Sequence, residues 1–379
     1  MEADPGGEPT AGSTGVARFL VLSLRPVLIY VASRIGTLLV GGAVADVVHR
    51  SLGWTLNAWD SHWYLSIASS GYVHSVPAGY GDPDQTNLGF FPLLPLLIRV
   101  THAVTGLHWT ASGLVTTFGL GLLASVAVWW LLRDVFGTSG ADRGTALVFF
   151  SPGAFVLSLV YSEGATVLLV ACALLALRRG RWLLAGVAAA VVSAADPVAV
   201  AVIAPCAVAS YQAIRRRGEW RSLVAPLLAP VGIVAFFAYL WAHTGSPLEW
   251  FHAQRHGWQS GAYGYGVPRA FSQVFHNGFA SVNWTVKSTS AIVAVVLLVL
   301  FFRAHPPAPW IAYVVAVLAL GIISPIIGIT PRLLLRCFPL LGVVGARLPR
   351  LWFEVVLGLS ALLLAALAVA SLGGPAFTP

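Results

Sequence analysis

Charge is what this chain has least of. Asp, Glu, Lys and Arg make up 9% of its 379 residues, where an average soluble domain carries about 25%, so a soluble globular fold is excluded. Lysine occurs once, at Lys287. The net charge of +8 therefore rests on arginines. These fall in short clusters between apolar runs, not in the basic stripe that a nucleic acid requires, and no nucleic-acid partner is expected. Cysteine is nearly absent too. Cys172, Cys206 and Cys337 each sit inside an apolar run without ligand spacing. They read as small core residues, with neither a disulfide framework nor a metal centre behind them. Missing as well is the apolar/polar alternation of barrel strands.

What is present is apolar: 58% of the residues are hydrophobic. Lipid offers the backbone no hydrogen-bond partner, so long Leu/Val/Ala runs in a membrane must be helices. Such runs lie at roughly 22–45, 111–132, 144–160, 163–178, 182–195, 197–213, 223–242, 287–302, 308–324, 333–347 and 351–371. Most approach the ~20 residues a span needs, save two short ones around Asp196. The expectation is an all-α polytopic membrane protein of about eleven transmembrane helices. Met1–Gly15 is rich in Gly, Pro, Ala and Thr, carries three acids and lacks an apolar run. It reads as a disordered cytoplasmic tail without the basic region of a cleaved signal peptide, leaving 16–379 as a single transmembrane domain.

The arginines then set the orientation. Arg133/Arg143, Arg178/Arg179/Arg181, Arg215/Arg216/Arg217/Arg221, Arg303 and Arg347/Arg350 fall at every second connection, as the positive-inside rule asks when the N-terminus is cytoplasmic. The opposite connections lie outside: a large loop at about 46–110, the turn Tyr161-Ser162-Glu163, the turn at Asp196, a loop at about 243–286, and Ser324–Arg332. The chain has 14 acidic residues, and those at the outer ends of apolar helices have a functional cast, because charge there is costly. The expected location is the cytoplasmic membrane, multi-pass, with chemistry on its outer face.

One outer segment stands out: Asn57-Ala-Trp-Asp60-Ser-His62-Trp-Tyr64. Trp59 and Trp63 lie one turn apart, as do Asp60 and Tyr64, which suits a short interfacial helix. An aromatic belt alone accounts for the tryptophans but gains nothing from Asp60 between them. A partly buried carboxylate suits a general base. Phe90-Phe-Pro92-Leu-Leu-Pro95 cannot be helical throughout. It reads as the loop re-entering the membrane beside a cavity, with Arg99 beyond.

Asn57-x-Trp-Asp60-x-x-x-Tyr64-Leu-x-Ile-Ala-x-x-Gly71-Tyr72 followed by Phe90-Phe-Pro-Leu-x-Pro-x-x-x-Arg99 resembles the PIG-V family, the GPI mannosyltransferase 2-like members of the GT-C clan of integral-membrane glycosyltransferases. The likeness continues through Tyr161-Ser-Glu163, Arg178-Arg-Gly-Arg-Trp-Leu-Leu-Ala-Gly186, Gly245-x-Pro-Leu-x-x-x-x-Ala-Gln254-x-x-Gly-Trp258 and Arg332-Leu-Leu-Leu-Arg336-Cys-Phe-Pro339. It implies transfer of mannose, or a similar sugar, from a polyprenyl-phosphate donor to a lipid or glycan acceptor. The displacement is single and inverting, with Asp60 as base. No cofactor is implied beyond the donor substrate, and no metal if cations hold the leaving phosphate.

Arg332 and Arg336, one turn apart, are expected to clamp that phosphate, with Arg99 as a third cation; snorkelling to headgroups is the plainer reading of both. Glu163, His62 and Tyr64 are candidate substrate contacts, and Gln254 and Trp258 a sugar platform in the second outer loop. Two departures stand against the resemblance. Ala194-Ala-Asp196-Pro-Val198 replaces the family's Thr-Arg-Pro-x-Gly, an anion for a cation, and Arg332-Leu333 replaces Arg-Tyr. The first is expected to remove a donor-phosphate contact and the second an aromatic contact to lipid or sugar, so that either the substrate differs or activity is weakened or lost. Alanine, glycine and arginine usage fits a GC-rich, actinobacterial genome, which points to a cell-envelope acceptor. The competing class is a non-catalytic accessory protein or a lipid-linked-sugar transporter. A transporter should show inverted repeats, and none is evident.

Overall fold

A backbone that must satisfy itself within lipid folds as helix, and the computed structural model describes helices and short turns over residues 11–74, 85–257, 266–324, 328–374 and 376–377. Seventeen α-helices follow in order among these residues. The first group comprises α1 (Ala11–Val47), α2 (Leu52–Leu56), α3 (Ser61–Ser70), α4 (Leu93–Thr105), α5 (Trp109–Phe149) and α6 (Glu163–Arg178). Next come α7 (Trp182–Val192), α8 (Ile203–Arg217), α9 (Val224–Leu228), α10 (Val231–Thr244), α11 (Glu249–Gly257) and α12 (Gly266–Asn277). Last are α13 (Val282–Arg303), α14 (Ala308–Ile323), α15 (Pro331–Arg336), α16 (Phe338–Arg347) and α17 (Arg350–Leu372). Among the described residues there is no strand.

The all-helical polytopic class is as expected, while fewer described helices are long and apolar enough to cross a membrane alone than there are apolar runs. Six described helical stretches are long and apolar enough to cross a membrane. A seventh is a bent pair, Pro152–Ser158 with α6, turned through 109°. The apolar helices α4, α7, α14 and α16 take up other runs at 13, 11, 16 and 10 residues, short of the ~20 needed to cross alone. The runs expected at 111–132 and 144–160 meet in α5, where Gly137 breaks the helix with φ 69° and ψ −177°. That left-handed φ is open to glycine at no steric cost. The chain doubles back there, since the indole Nε1 of Trp129 donates to Asp142 Oδ1 at 2.7 Å, an approach a continuous helix would not permit over that separation.

The core lies around α5, which packs against α1, α4, α6 and α16. Trp129, Phe149, Phe155, Phe338 and Trp310 are fully buried there. Arg34, in the middle of α1, is buried with them. Its Nη1 donates to Ala154 O at 2.7 Å and Ser158 Oγ at 2.9 Å, and its Nη2 to Phe149 O at 3.3 Å. These bonds hold the 3₁₀ turn Pro152–Ser158 that precedes α6 and, through it, the segment that carries Glu163.

Candidate active site

Asp60 is placed by its backbone before its side chain. Trp59 has φ 57°, a left-handed conformation that a bulky residue rarely adopts, and its indole donates to the Ser371 carbonyl at 2.9 Å. The next amide, Asp60 N, donates to Tyr161 Oη at 3.1 Å. One face of α3 is then stitched to the turn before α6: Ser61 Oγ accepts from Val160 N at 3.2 Å, and Tyr64 Oη donates to Ser162 Oγ at 3.4 Å. Burial pushes the Tyr64 phenol well above its usual pKa, so it stays a neutral donor. Asp60 makes no capping bond to the helix it precedes. Its carboxylate turns instead to Arg332, Oδ2 to Nη1 at 3.0 Å.

Arg332 opens α15. Thr330 caps that helix, its Oγ1 accepting from Leu333 N at 3.1 Å, and Pro331 suits the first helical turn. Gly153 lets the helix approach: a Cβ there would lie 2.1 Å from Pro331 O. The Arg332 guanidinium centre lies 4.5 Å from the Tyr161 ring centroid, a cation–π contact. Its Nε donates to Glu163 Oε1. Burial works against the charge of Arg332, yet Glu163 and Asp60 hold its pKa well above the ordinary arginine value.

The same Glu163 oxygen takes Arg336 Nη2 at 2.7 Å, and that nitrogen lies 3.6 Å from Asp196 Oδ2. Asp196 is fixed in turn. Its Oδ1 accepts from Val198 N and Ala199 N at 2.8 and 3.0 Å, and its Oδ2 from Thr166 Oγ1 at 2.7 Å. Asp60, Arg332, Glu163, Arg336 and Asp196 thus form a chain of alternating charge drawn from four separate segments, the two arginines sharing α15. Side-chain exposure is 22% for Asp60 and 15% for Arg332, against 0%, 5% and 4% for Glu163, Arg336 and Asp196. Only the Asp60–Arg332 end is open.

This geometry sorts the residues singled out in the sequence. Asp60, Arg332, Arg336 and Glu163 come together, and Tyr64 stands beside them. The expected clamp of two arginines on one phosphate is not what is seen: both converge on Glu163, and Arg336 is buried. Asp196, read as a lost phosphate contact, is the counter-charge behind Arg336. Leu333 is buried in the core.

Other candidates lie outside the chain of charges. Arg99 donates to the carbonyls of Ala68 and Ile67 at 2.8 and 3.1 Å, capping α3. His62 is exposed, its Nδ1 at the Trp59 carbonyl and its ring against Trp63. Gln254 and Trp250 both donate to Gly89 O at 3.1 Å, seating α11 on the turn Asn87–Gly89. Trp258 lies outside the described residues. Re-entry at Pro92 brings Leu93 N to Ala194 O at 3.0 Å, next to the Asp196 turn. Two large cavities lie elsewhere: one of about 490 Å³ with Arg303, His305 and Arg347 in its wall, and one of about 550 Å³ between Val40–Val48 and Val369–Ala376. Sequence reading passed over Arg34 and Thr166. A lone arginine in mid-span was the signal for the first.

The glycosyltransferase family 87 model matches residues 90–325, a region that holds Glu163 and Asp196 and lies between Asp60 and Arg332. No curated protein matches the sequence. The fold is similar to the crystal structure of ArnT from Cupriavidus metallidurans bound to undecaprenyl phosphate, with a TM-score of 0.54 and 16% identity over 92% of this chain and 63% of that one. The same ArnT in the apo state gives 0.49 and 17% identity, over 96% of this chain and 66% of that one. This chain therefore spans under two thirds of ArnT's length, and at such identity the likeness is one of fold.

Proposed function

Because the chain belongs to glycosyltransferase family 87, we propose that this membrane glycosyltransferase moves a sugar from a polyprenyl-phosphate carrier to a lipid or glycan acceptor, with Asp60 as general base. The observation that carries the reading is the open end of the ion-pair chain, where a carboxylate and a guanidinium stand 3.0 Å apart. Chemistry of this kind needs one group to take a proton and one to receive a departing phosphate. Asp60 accepts the proton of the acceptor hydroxyl as that oxygen attacks the anomeric carbon. The bond from that carbon to the phosphate oxygen breaks, the configuration inverts, and Arg332 balances the charge left on the polyprenyl phosphate.

Undecaprenyl phosphate in the similarly folded ArnT supports a polyprenyl-phosphate ligand here. Mannose as the sugar rests on the PIG-V resemblance. Arginine clustering supports an outer-face site with a cytoplasmic N-terminus. The test is transfer from radiolabelled polyprenyl-phosphate-mannose by purified protein. Asp60→Asn is expected to lower the rate about 10²–10⁴-fold, the usual share of general-base catalysis. Undiminished transfer by that variant would remove Asp60 from the mechanism.

A further inference from the structure

The pairing of Asp60 with Arg332 sets a chemical problem for the reading above. A base held by a guanidinium is a poor proton acceptor, and a guanidinium held by a carboxylate is not free for a phosphate. The rest of the chain resolves it. Glu163 grips Arg332 at Nε, whereas Asp60 meets it at Nη1, and the planar fork presents five donors in fixed directions. Glu163 is fully enclosed and held by Arg336 at 2.7 Å. Behind Arg336 stands Asp196, which takes two backbone amides and the Thr166 hydroxyl. Arg332 therefore has one anchored contact and one exposed contact, and the exposed one is the base.

We propose that the phosphate of the polyprenyl donor displaces Asp60 from Arg332 Nη1 while Glu163 keeps Nε, so that the base is released only once the donor is in place. This rests on the function proposed above. It is an exchange of one ion pair for another, with no covalent change. Glu163, Arg336 and Asp196 are positioning residues in it: they act through Arg332 and touch no substrate. Their burial explains why an anion at position 196 is compatible with phosphate binding, since the phosphate ligand is Arg332 alone and Arg336 is its second support.

The test measures binding of undecaprenyl phosphate to the full-length protein in lipid nanodiscs, which requires no transfer. Exchange predicts that Asp60→Asn tightens binding about threefold or more, the scale of a partly exposed ion pair, while transfer is lost. Simple repulsion between Asp60 and the phosphate would also tighten binding, so the substitution is repeated in two backgrounds. Arg332→Lys keeps a charge for Glu163 without the fork. Glu163→Gln with Arg332→Gln removes both charges and leaves Arg336 with Asp196, a second background should the first fail to fold. In either, the gain from Asp60→Asn is expected to vanish. An equal gain in a folded background, or no gain beside the native Arg332, overturns the exchange. Undiminished transfer by Asp60→Asn overturns the general-base role in the proposed function instead, so the two failures are distinguishable.

Discussion

Glu163 carries two arginines on Oε1, while its Oε2 has no hydrogen-bond partner among the described residues. Breaking a buried ion pair by removing one partner costs about 3–5 kcal/mol, because the other charge is left uncompensated. Glu163→Ala strands Arg332 and Arg336 together, and its melting in detergent is expected to show a loss at the upper end of that range. Asp196→Ala is milder, since Arg336 keeps Glu163. The missing cap on the turn Pro197–Val202 costs about 0.5–2 kcal/mol, and the lost counter-charge adds to it. Equal melting of both variants would contradict this order. At this scale Asp60 was legible because an acid set among tryptophans has no packing rationale. The partners of Arg336 were not: spacing puts it one turn from Arg332 but says nothing of which carboxylate it meets across the bundle.

Elements carry these residues to their places, and α3 shows how. It begins at the strained Trp59 peptide and ends where Arg99 takes the carbonyls of Ile67 and Ala68. A charge-assisted hydrogen bond contributes about 1.5–3 kcal/mol, so Arg99→Ala should fray the end of α3 and loosen Tyr64 and Asp60. The expected kinetic signature is a lower kcat with an unchanged KM for the donor. A raised donor KM with kcat intact would restore Arg99 to the phosphate. The apolar runs were legible as helices because composition alone dictates them in lipid. The break at Gly137 and the 109° bend before α6 were not, since an apolar run looks the same whether straight or folded back.

For the whole molecule, placing the site on the outer face rests on arginine distribution. Two arginines of the opposite connections form ion pairs, Arg178 with Asp134 at 2.8 Å and Arg217 with Glu219 at 2.9 Å, and Arg25 of α1 pairs with Asp142 at 2.6 Å. Such exposed pairs add little stability, which leaves orientation as their main physical effect. In intact cells, a cysteine at exposed His276 is expected to react with a membrane-impermeant maleimide. One at exposed Arg216 should react only after permeabilisation. The reverse pattern would put the Asp60 end in the cytoplasm.

The sequence by itself determined the class of molecule: a scarcity of charge and long apolar runs leave only membrane helices, and an acid where nothing else explains it marks Asp60. Both follow from local cost, which composition and spacing express. Only the tertiary structure decided that Arg332, Glu163, Arg336 and Asp196 stand in line behind that acid. The carboxylates and the α15 arginines lie on segments far apart in the chain, and pairing across a bundle depends on how α6 bends and how closely α15 approaches Gly153. The anion at 196, a defect when read along the sequence, is a counter-charge in space, because an arginine buried beside it requires one.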